Sequence, residues 1–176
     1  MIVQSDVPSP CTIIFLPSSI LCGRKIVVHG DGTSLWTITH SDDFAEGFAG
    51  LLGNHSTIGE TYHITSDEAL TWDQIHKTIG RALGVQPKIV HVPSEVISAI
   101  DPEYGPGLLG DKRYSLIFDN SKIKRAVPGF RAIIPFFRGM ERSVAWLADH
   151  PKDKILDSDM DKRIDAILAK WETAKF

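Results

Sequence analysis

Cysteine is nearly absent. Cys11 and Cys22 are the two found in 176 residues, and without a second pair they supply neither a disulfide framework nor a zinc knuckle. An excess of positive charge is missing too: 19 Lys and Arg against 22 Asp and Glu leave a net charge of -3. Binding a phosphate backbone requires clustered cations, so no nucleic-acid partner is expected. No apolar run is long enough to cross a bilayer. CTIIFLPSSILC, near the start, is short and holds a proline, so no membrane partner is expected. The residues before it contain no Lys or Arg and include Asp6 and two prolines, unlike the basic lead of a secretory signal. The expectation is a cytoplasmic chain with reduced thiols, in which Asn54-His55-Ser56 has no role as a glycosylation acceptor.

Metal and nucleophile patterns are also lacking. The histidines at 29, 40, 55, 63, 76, 91 and 150 form no HxxxH or HExxH pair, so no metal is expected. No GxSxG elbow and no cysteine in a hydrolase setting occur, which leaves nucleophilic catalysis without a candidate. His29, His63 and His91 fall inside predicted strands, where a hydrogen-bonded structural role is expected.

What is present is a composition of 43% hydrophobic and 23% charged residues, that of one globular α/β domain. KIVVHG and LWTITH are β-rich runs, and GDGTS between them suits a turn, so they read as a pair of strands. SDDFAEGFAGLL follows, with Ser41 and Asp42 as caps and Phe44, Phe48, Leu51 and Leu52 at helical spacing, predicting an amphipathic helix that ends at Gly53-Asn54. GETYHIT reads as a strand. Thr71 and Gln74 form a capping box before a helix whose face is Trp72, Ile75, Ile79 and Leu83, with Gly84 as its stop.

KIVHVP is a further strand, and Ser94 starts a short helix to about Asp101. DPEYGPGLLGDKR reads as a Pro- and Gly-rich loop in which Asp101, Glu103, Tyr104, Asp111, Lys112 and Arg113 are candidate substrate-orienting groups, a solvated loop being the equal alternative. YSLIFD reads as a strand and NSKIKRAV as a short helix capped by Asn120 or Ser121. Pro135 opens a helix with Phe136, Met140, Val144 and Leu147 on one face. Met160, Ile164, Ile167, Leu168 and Trp171 stripe a terminal helix expected to pack on the body of the protein.

Glycines 47, 50 and 53 match GxxGxxG, but a dinucleotide fingerprint must follow a strand and open a helix, so that backbone amides face the pyrophosphate. These lie in the body and at the end of a helix, whose carbonyl end repels phosphate. No cofactor role is expected for them.

The order GDGTSLWTITHSDDFAEGF, then GETYHITSDEALTWDQI, then FDNSKIKRAVPGF resembles the second half of the extended short-chain dehydrogenase/reductases, the NAD-dependent epimerase/dehydratase family. The resemblance covers about residues 25 to 150. His40 and Asp43 match a His and an Asp of the family, and Asp119, Ser121 and Lys122 match a later segment. By this resemblance GDG is a strand connection in the substrate-binding half, not a phosphate loop.

The resemblance implies a small α/β substrate-binding domain with short strands and several helices, the N-terminal Rossmann half being largely absent. Residues 1–25 are then an unassigned remnant, 26–157 the substrate-binding domain and 158–176 a C-terminal amphipathic helix. The family's catalytic Tyr-x-x-x-Lys pair has no match, since Tyr62, Tyr104 and Tyr114 are followed four residues later by Ser66, Leu108 and Phe118. The chain is expected to be a truncated product or fragment that binds no cofactor and has no oxidoreductase activity alone, the complete member using NAD or NADP.

Two arginines that hold the diphosphate in nucleotide-sugar epimerases correspond to Trp36 and Leu108, which puts a nucleoside-diphosphate sugar in doubt, with Lys112 or Arg113 as partial replacements. Trp36, His40, Asp111 and Lys112 are expected to line the substrate side for a sugar-like or other hydroxylated small molecule. The alternative is a non-catalytic interaction module. Its apolar surface, left by the missing half, would then be covered by self-association or by a partner.

Overall fold

The computed structural model describes residues 17–150 and 158–174; most of the early apolar stretch and the boundary expected at 157 lie outside them. A parallel pair of strands, β1 (Lys25–His29) and β2 (Lys88–Val92), forms the centre, in register from Lys25 opposite Lys88 to His29 opposite Val92. Alternation along them separates two cores. Ile26, Val28 and Ile89 face one side, with Ile20, Ile75, Ile79, Phe136 and Met140. Val27, Val90 and Val92 face the other, with Ile97, Leu108, Ile164, Ile167 and Trp171.

Helix α1 (Trp72–Ala82) and helix α2 (Phe136–Asp149) cover the first side, and α3 (Ser94–Ile100) and the terminal helix α4 (Ser158–Thr173) cover the second. The caps explain where α1 begins: Thr71 Oγ1 accepts from Gln74 N–H, and the Gln74 side chain accepts from Thr71 N–H, as the capping box predicts. The terminal stripe packs as expected, with Ile167 fully buried. Arg163 on the same helix makes two bonds to the Asp101 carboxylate, at 2.6 and 2.9 Å.

Several expectations are corrected. KIVVH and LWT do not pair with each other. The strand Leu35–Thr37 instead pairs antiparallel with Ala69–Thr71, while β1 takes the distant β2. GETYHIT has no regular secondary structure and forms no ladder among the described residues; at its end Asn120 Nδ2 donates to the Thr65 carbonyl, and the N–H of the following Ser66 donates to Thr39 Oγ1. Side chains thus meet needs that a neighbouring strand would otherwise fill. YSLIFD yields one bridge, between Trp36 and Leu116. The Pro- and Gly-rich segment is a helical turn, Gly105–Gly107, running into a π turn, Leu108–Lys112. Leu108 is driven into the second core there.

The helix Ser41–Leu51 differs most from expectation. Its cap is His40, whose Nδ1 accepts from Asp42 N–H at 3.1 Å, rather than Ser41 or Asp42. Its apolar residues Phe44, Phe48 and Leu52 are exposed, and its buried residues are Asp43 and Gly47. A Cβ at Gly47 would come within 2.7 Å of Ile64 and 2.9 Å of Phe130, so glycine sets how closely this helix packs. Asp43, 2% exposed, accepts from Ile133 N–H at 3.2 Å and Ile134 N–H at 3.0 Å. It fixes the segment that leads into α2. On the short helix Ser121–Ala126 Asn120 occupies the N-cap position as expected, but its side chain makes no capping bond: Asp119 accepts from Ser121 N–H, and Asn120 holds Thr65 and Asp67 instead.

Replacing Asp43 with Ala removes the acceptor of two part-buried amides and is expected to cost about 2 kcal/mol in urea unfolding, with Asn costing less because one carboxamide oxygen remains. An alanine variant as stable as the parent would show that these bonds do not hold the helix.

Candidate functional site

Parallel strands leave a crevice beyond their carboxyl ends, because the chain departs there in different directions. Here β1 runs into Gly30-Asp31-Gly32 and β2 runs into Pro93-Ser94. Gly30 and Gly32 have φ of 61° and 74°, the left-handed region that glycine enters without strain. A Cβ at Gly32 would also strike the Asp73 carboxylate and come 2.9 Å from His91 Nε2. The turn is pinned by Asp31, which accepts from Thr33 N–H at 3.0 Å and Thr33 Oγ1 at 2.6 Å. It is also held from α1, where Asp73 N–H donates to the Gly32 carbonyl.

The result is a cleft of about 180 Å³, lined by His29, Asp31, Ser34, Ser94, Arg113 and Ser115 among others. His29 is 8% exposed and stands edge-on to Trp72, ring centroids 5.2 Å apart. Burial first, then its neighbours His76 and Lys112, push its pKa down to about 4. It is therefore a neutral imidazole at physiological pH. His29 Nε2, Trp36 Nε1 and Trp72 Nε1 are buried without hydrogen-bond partners among the described residues. Trp72 connects the three, since its ring also lies 5.6 Å from that of Trp36.

The expected substrate residues separate. Trp36 and Lys112 come together, the Lys112 ammonium lying 5.8 Å from the indole centroid. Asp111 is 3.8 Å from the same ammonium. Ser34 Oγ donates to the Lys112 carbonyl and so joins this wall to the cleft. His40 is placed elsewhere, capping its helix with its ring against Gly139 of α2. From the loop candidates, Arg113 reaches the cleft and pairs with Glu95 at 2.8 Å. Asp101 and Glu103 instead meet Arg163, and Tyr104 packs in the second core.

Sequence reasoning missed His29, Ser34, Ser94 and Ser115 as cleft residues. The available signal was that His29-Gly30 and Pro93-Ser94 each follow a short apolar strand; reading the first as half of a hairpin concealed it. Of the three histidines expected to be hydrogen-bonded, His91 is, its Nε2 donating to Asp73 at 2.7 Å, whereas His29 Nε2 has no partner among the described residues and His63 stands edge-on to Phe118 with ring centroids 5.0 Å apart. Partial burial opposes it, but bonds from Lys77 and His91 hold Asp73 below the usual carboxylate range.

A dinucleotide does not fit the described glycine motif. Gly47 packs against Ile64 and Phe130, and a Cβ at Gly50 would strike Val127. Both are sites of close helix packing in the helix body, where no free amides point at a ligand. No cluster of potential metal ligands occurs among the described residues, and no described helix is long and apolar enough to cross a membrane.

No protein-family model matches the chain. Over 70 residues it is 33% identical to the chloroplast stem-loop binding protein of 41 kDa b of Arabidopsis thaliana, a stretch that is 39% of this chain and 18% of that protein. Among solved structures, the Thermotoga maritima UDP-glucose 4-epimerase superposes with a TM-score of 0.60 at 19% identity, covering 78% of this chain and 40% of the enzyme. The Bacillus cereus UDP-glucuronic acid 4-epimerase gives 0.61 at 19%, covering 77% and 39%. A dTDP-glucose 4,6-dehydratase of Streptomyces venezuelae gives 0.55 at 26%, covering 76% and 37%. The fold is part of an extended short-chain dehydrogenase/reductase fold. The chain spans about two fifths of the length of these enzymes. Within that fold Leu108 is a core residue with no exposure, and Trp36 is half-buried against Trp72, so neither position offers a cation to a ligand.

The depressed pKa of His29 has a stability consequence. Below the ordinary imidazole value of 6.5, the unfolded chain takes up a proton that the folded chain refuses until pH approaches 4. Stability is complete above that ordinary value and falls as pH decreases through this window, by about 2 kcal/mol between pH 7 and pH 5 from His29. His76, lowered mainly by burial, acts in the same direction. Urea unfolding at the two pH values should show a smaller loss in His29→Gln than in the parent; equal losses would mean that His29 titrates normally.

Proposed function

We propose that the chain is the substrate-binding part of an NAD(P)-dependent epimerase/dehydratase-like oxidoreductase acting on a sugar-like or otherwise hydroxylated small molecule. The observation that carries this reading is the polar cleft beyond the ends of β1 and β2, set on a fold shared with sugar-nucleotide epimerases and dehydratases. Trp36 and Lys112, with Asp111 beside them, form the adjoining wall and contact the substrate from that side. The dinucleotide and the proton-transfer groups belong to a Rossmann half. NAD or NADP, when held by that half, supplies the hydride chemistry. The residues described here orient the substrate and leave the chain without oxidoreductase activity alone.

A second reading rests on the helix Ser41–Leu51. Phe44 and Phe48 stack there with centroids 6.2 Å apart and both are exposed, beside an exposed Leu52. Apolar surface grouped in this way marks an interface. In this reading the chain is a non-catalytic module whose exposed helix face is covered by a partner.

The first reading is tested by titrating the purified chain with NAD, NADP and their reduced forms, following nicotinamide fluorescence and heat. No saturable binding is expected. Micromolar binding would place a cofactor site on this chain and overturn the division of roles. Sedimentation over a concentration series tests the second reading, which expects association that Phe44→Ser and Phe48→Ser abolish.

A further inference from the structure

The cleft lining is rich in hydrogen-bonding groups and poor in uncompensated charge. Arg113 is its cation, and Glu95 already pairs with it at 2.8 Å. The Asp31 carboxylate lines the same space. Lys112, on the adjoining wall, has Asp111 at 3.8 Å and turns its ammonium to Trp36. A phosphate brought here would meet one compensated guanidinium and a carboxylate of its own sign. Anion sites normally gather charge-assisted donors without a competing anion.

The remaining groups are neutral and both give and accept. Ser94 is 4% exposed, and its hydroxyl makes no hydrogen bond among the described residues. His29, equally enclosed, has a sealed Nε2 without a partner, and its Nδ1 is the ring nitrogen left open on the cleft side. Ser34 Oγ donates to the Lys112 carbonyl and keeps its lone pairs, while Ser115 Oγ accepts from Leu35 N–H and keeps its proton. Ser94 Oγ and His29 Nδ1 are therefore two polar atoms without a protein partner among the described residues that are not sealed from solvent, and a ligand hydroxyl can meet both. The volume of about 180 Å³ corresponds to roughly six waters at about 30 Å³ each, the scale of one small ring with its hydroxyls.

We infer that this cleft takes an uncharged, polyhydroxylated ligand of about one sugar ring, and not a phosphorylated one. The inference rests on the substrate-binding reading and narrows it: Ser94, Ser34, Ser115 and His29 meet the ligand hydroxyls, and Arg113 and Asp31 orient them as a matched donor and acceptor.

The test is a two-dimensional amide NMR titration of the isotopically labelled chain with a panel of neutral hexoses, pentoses and alditols, and with the same sugars as 1-phosphates and UDP-glucose. The expected result is a saturable shift of the Gly30, Asp31, Ser94 and Ser115 amides by a neutral member. Its phosphorylated form should bind no more tightly even at low salt. Ser94→Ala should weaken neutral binding about fivefold, the worth of one hydrogen bond. Because Ser94 is buried, Ser115→Ala at an exposed position serves as the second variant, with the same direction. Phosphorylated forms that move these amides and bind roughly tenfold tighter, with the salt dependence of a charge contact, would overturn the uncharged assignment while leaving the substrate-binding reading in place. Cleft amides that no member of the panel moves would overturn both.

Discussion

The parallel pairing of β1 with β2 is the constraint from which the rest of the molecule follows. Parallel neighbours cannot be joined by a tight turn, so the whole stretch from Gly30 to Pro87 must leave the sheet and return to its starting edge. That excursion contains the small antiparallel pair, the helix Ser41–Leu51 and α1. The same pairing directs alternate residues to two cores, one closed by α1 and α2 and the other by α3 and the terminal helix. It also sets Gly30 beside Ser94, with Gly30 N–H donating to the Val92 carbonyl at 2.8 Å, which opens the cleft between two departing loops.

Polar groups, rather than apolar stripes, dock the peripheral pieces onto this centre. Asp43 reaches from its helix to the amides before α2, and Glu68 accepts from Phe136 N–H at 2.7 Å at the start of α2 itself. Asn120 and Lys124 both hold Asp67. These bonds explain why the helix Ser41–Leu51 can turn its phenylalanines outward. Its position is fixed by a buried carboxylate and by a glycine contact, so its aromatic face remains available to another surface.

Local signals were legible where they act over a few residues. The Thr71 and Gln74 box, the stop at Gly84, the start at Ser94 and the face of Phe136 and Met140 are all present as their spacing implies. Misreadings cluster where the partner is distant. GETYHIT has strand composition, but strand identity depends on a neighbour, and here the Thr65 carbonyl at its end is met by the Asn120 side chain rather than by a strand. DPEYGPGLLGDKR has loop composition, yet the burial of Leu108 and Tyr104 against the terminal helix winds it into helical turns. In the same way Trp36 and Lys112 converge, whereas His40, four residues from Trp36, is drawn away by the cap it makes.

The sequence by itself determined the Thr71 and Gln74 capping box, the glycine turn between β1 and the next strand, the apolar faces of α1 and α2, and, through the order of three motifs, the dehydrogenase/reductase type of fold. Each depends on residues close in the chain or on a pattern that survives without contacts. Only the tertiary structure decided which strands pair, which face of the helix Ser41–Leu51 is buried, and that His29, Ser94 and Arg113 share one cleft. Those outcomes depend on contacts between residues far apart in sequence, whose energies exist only once the chain has closed on itself.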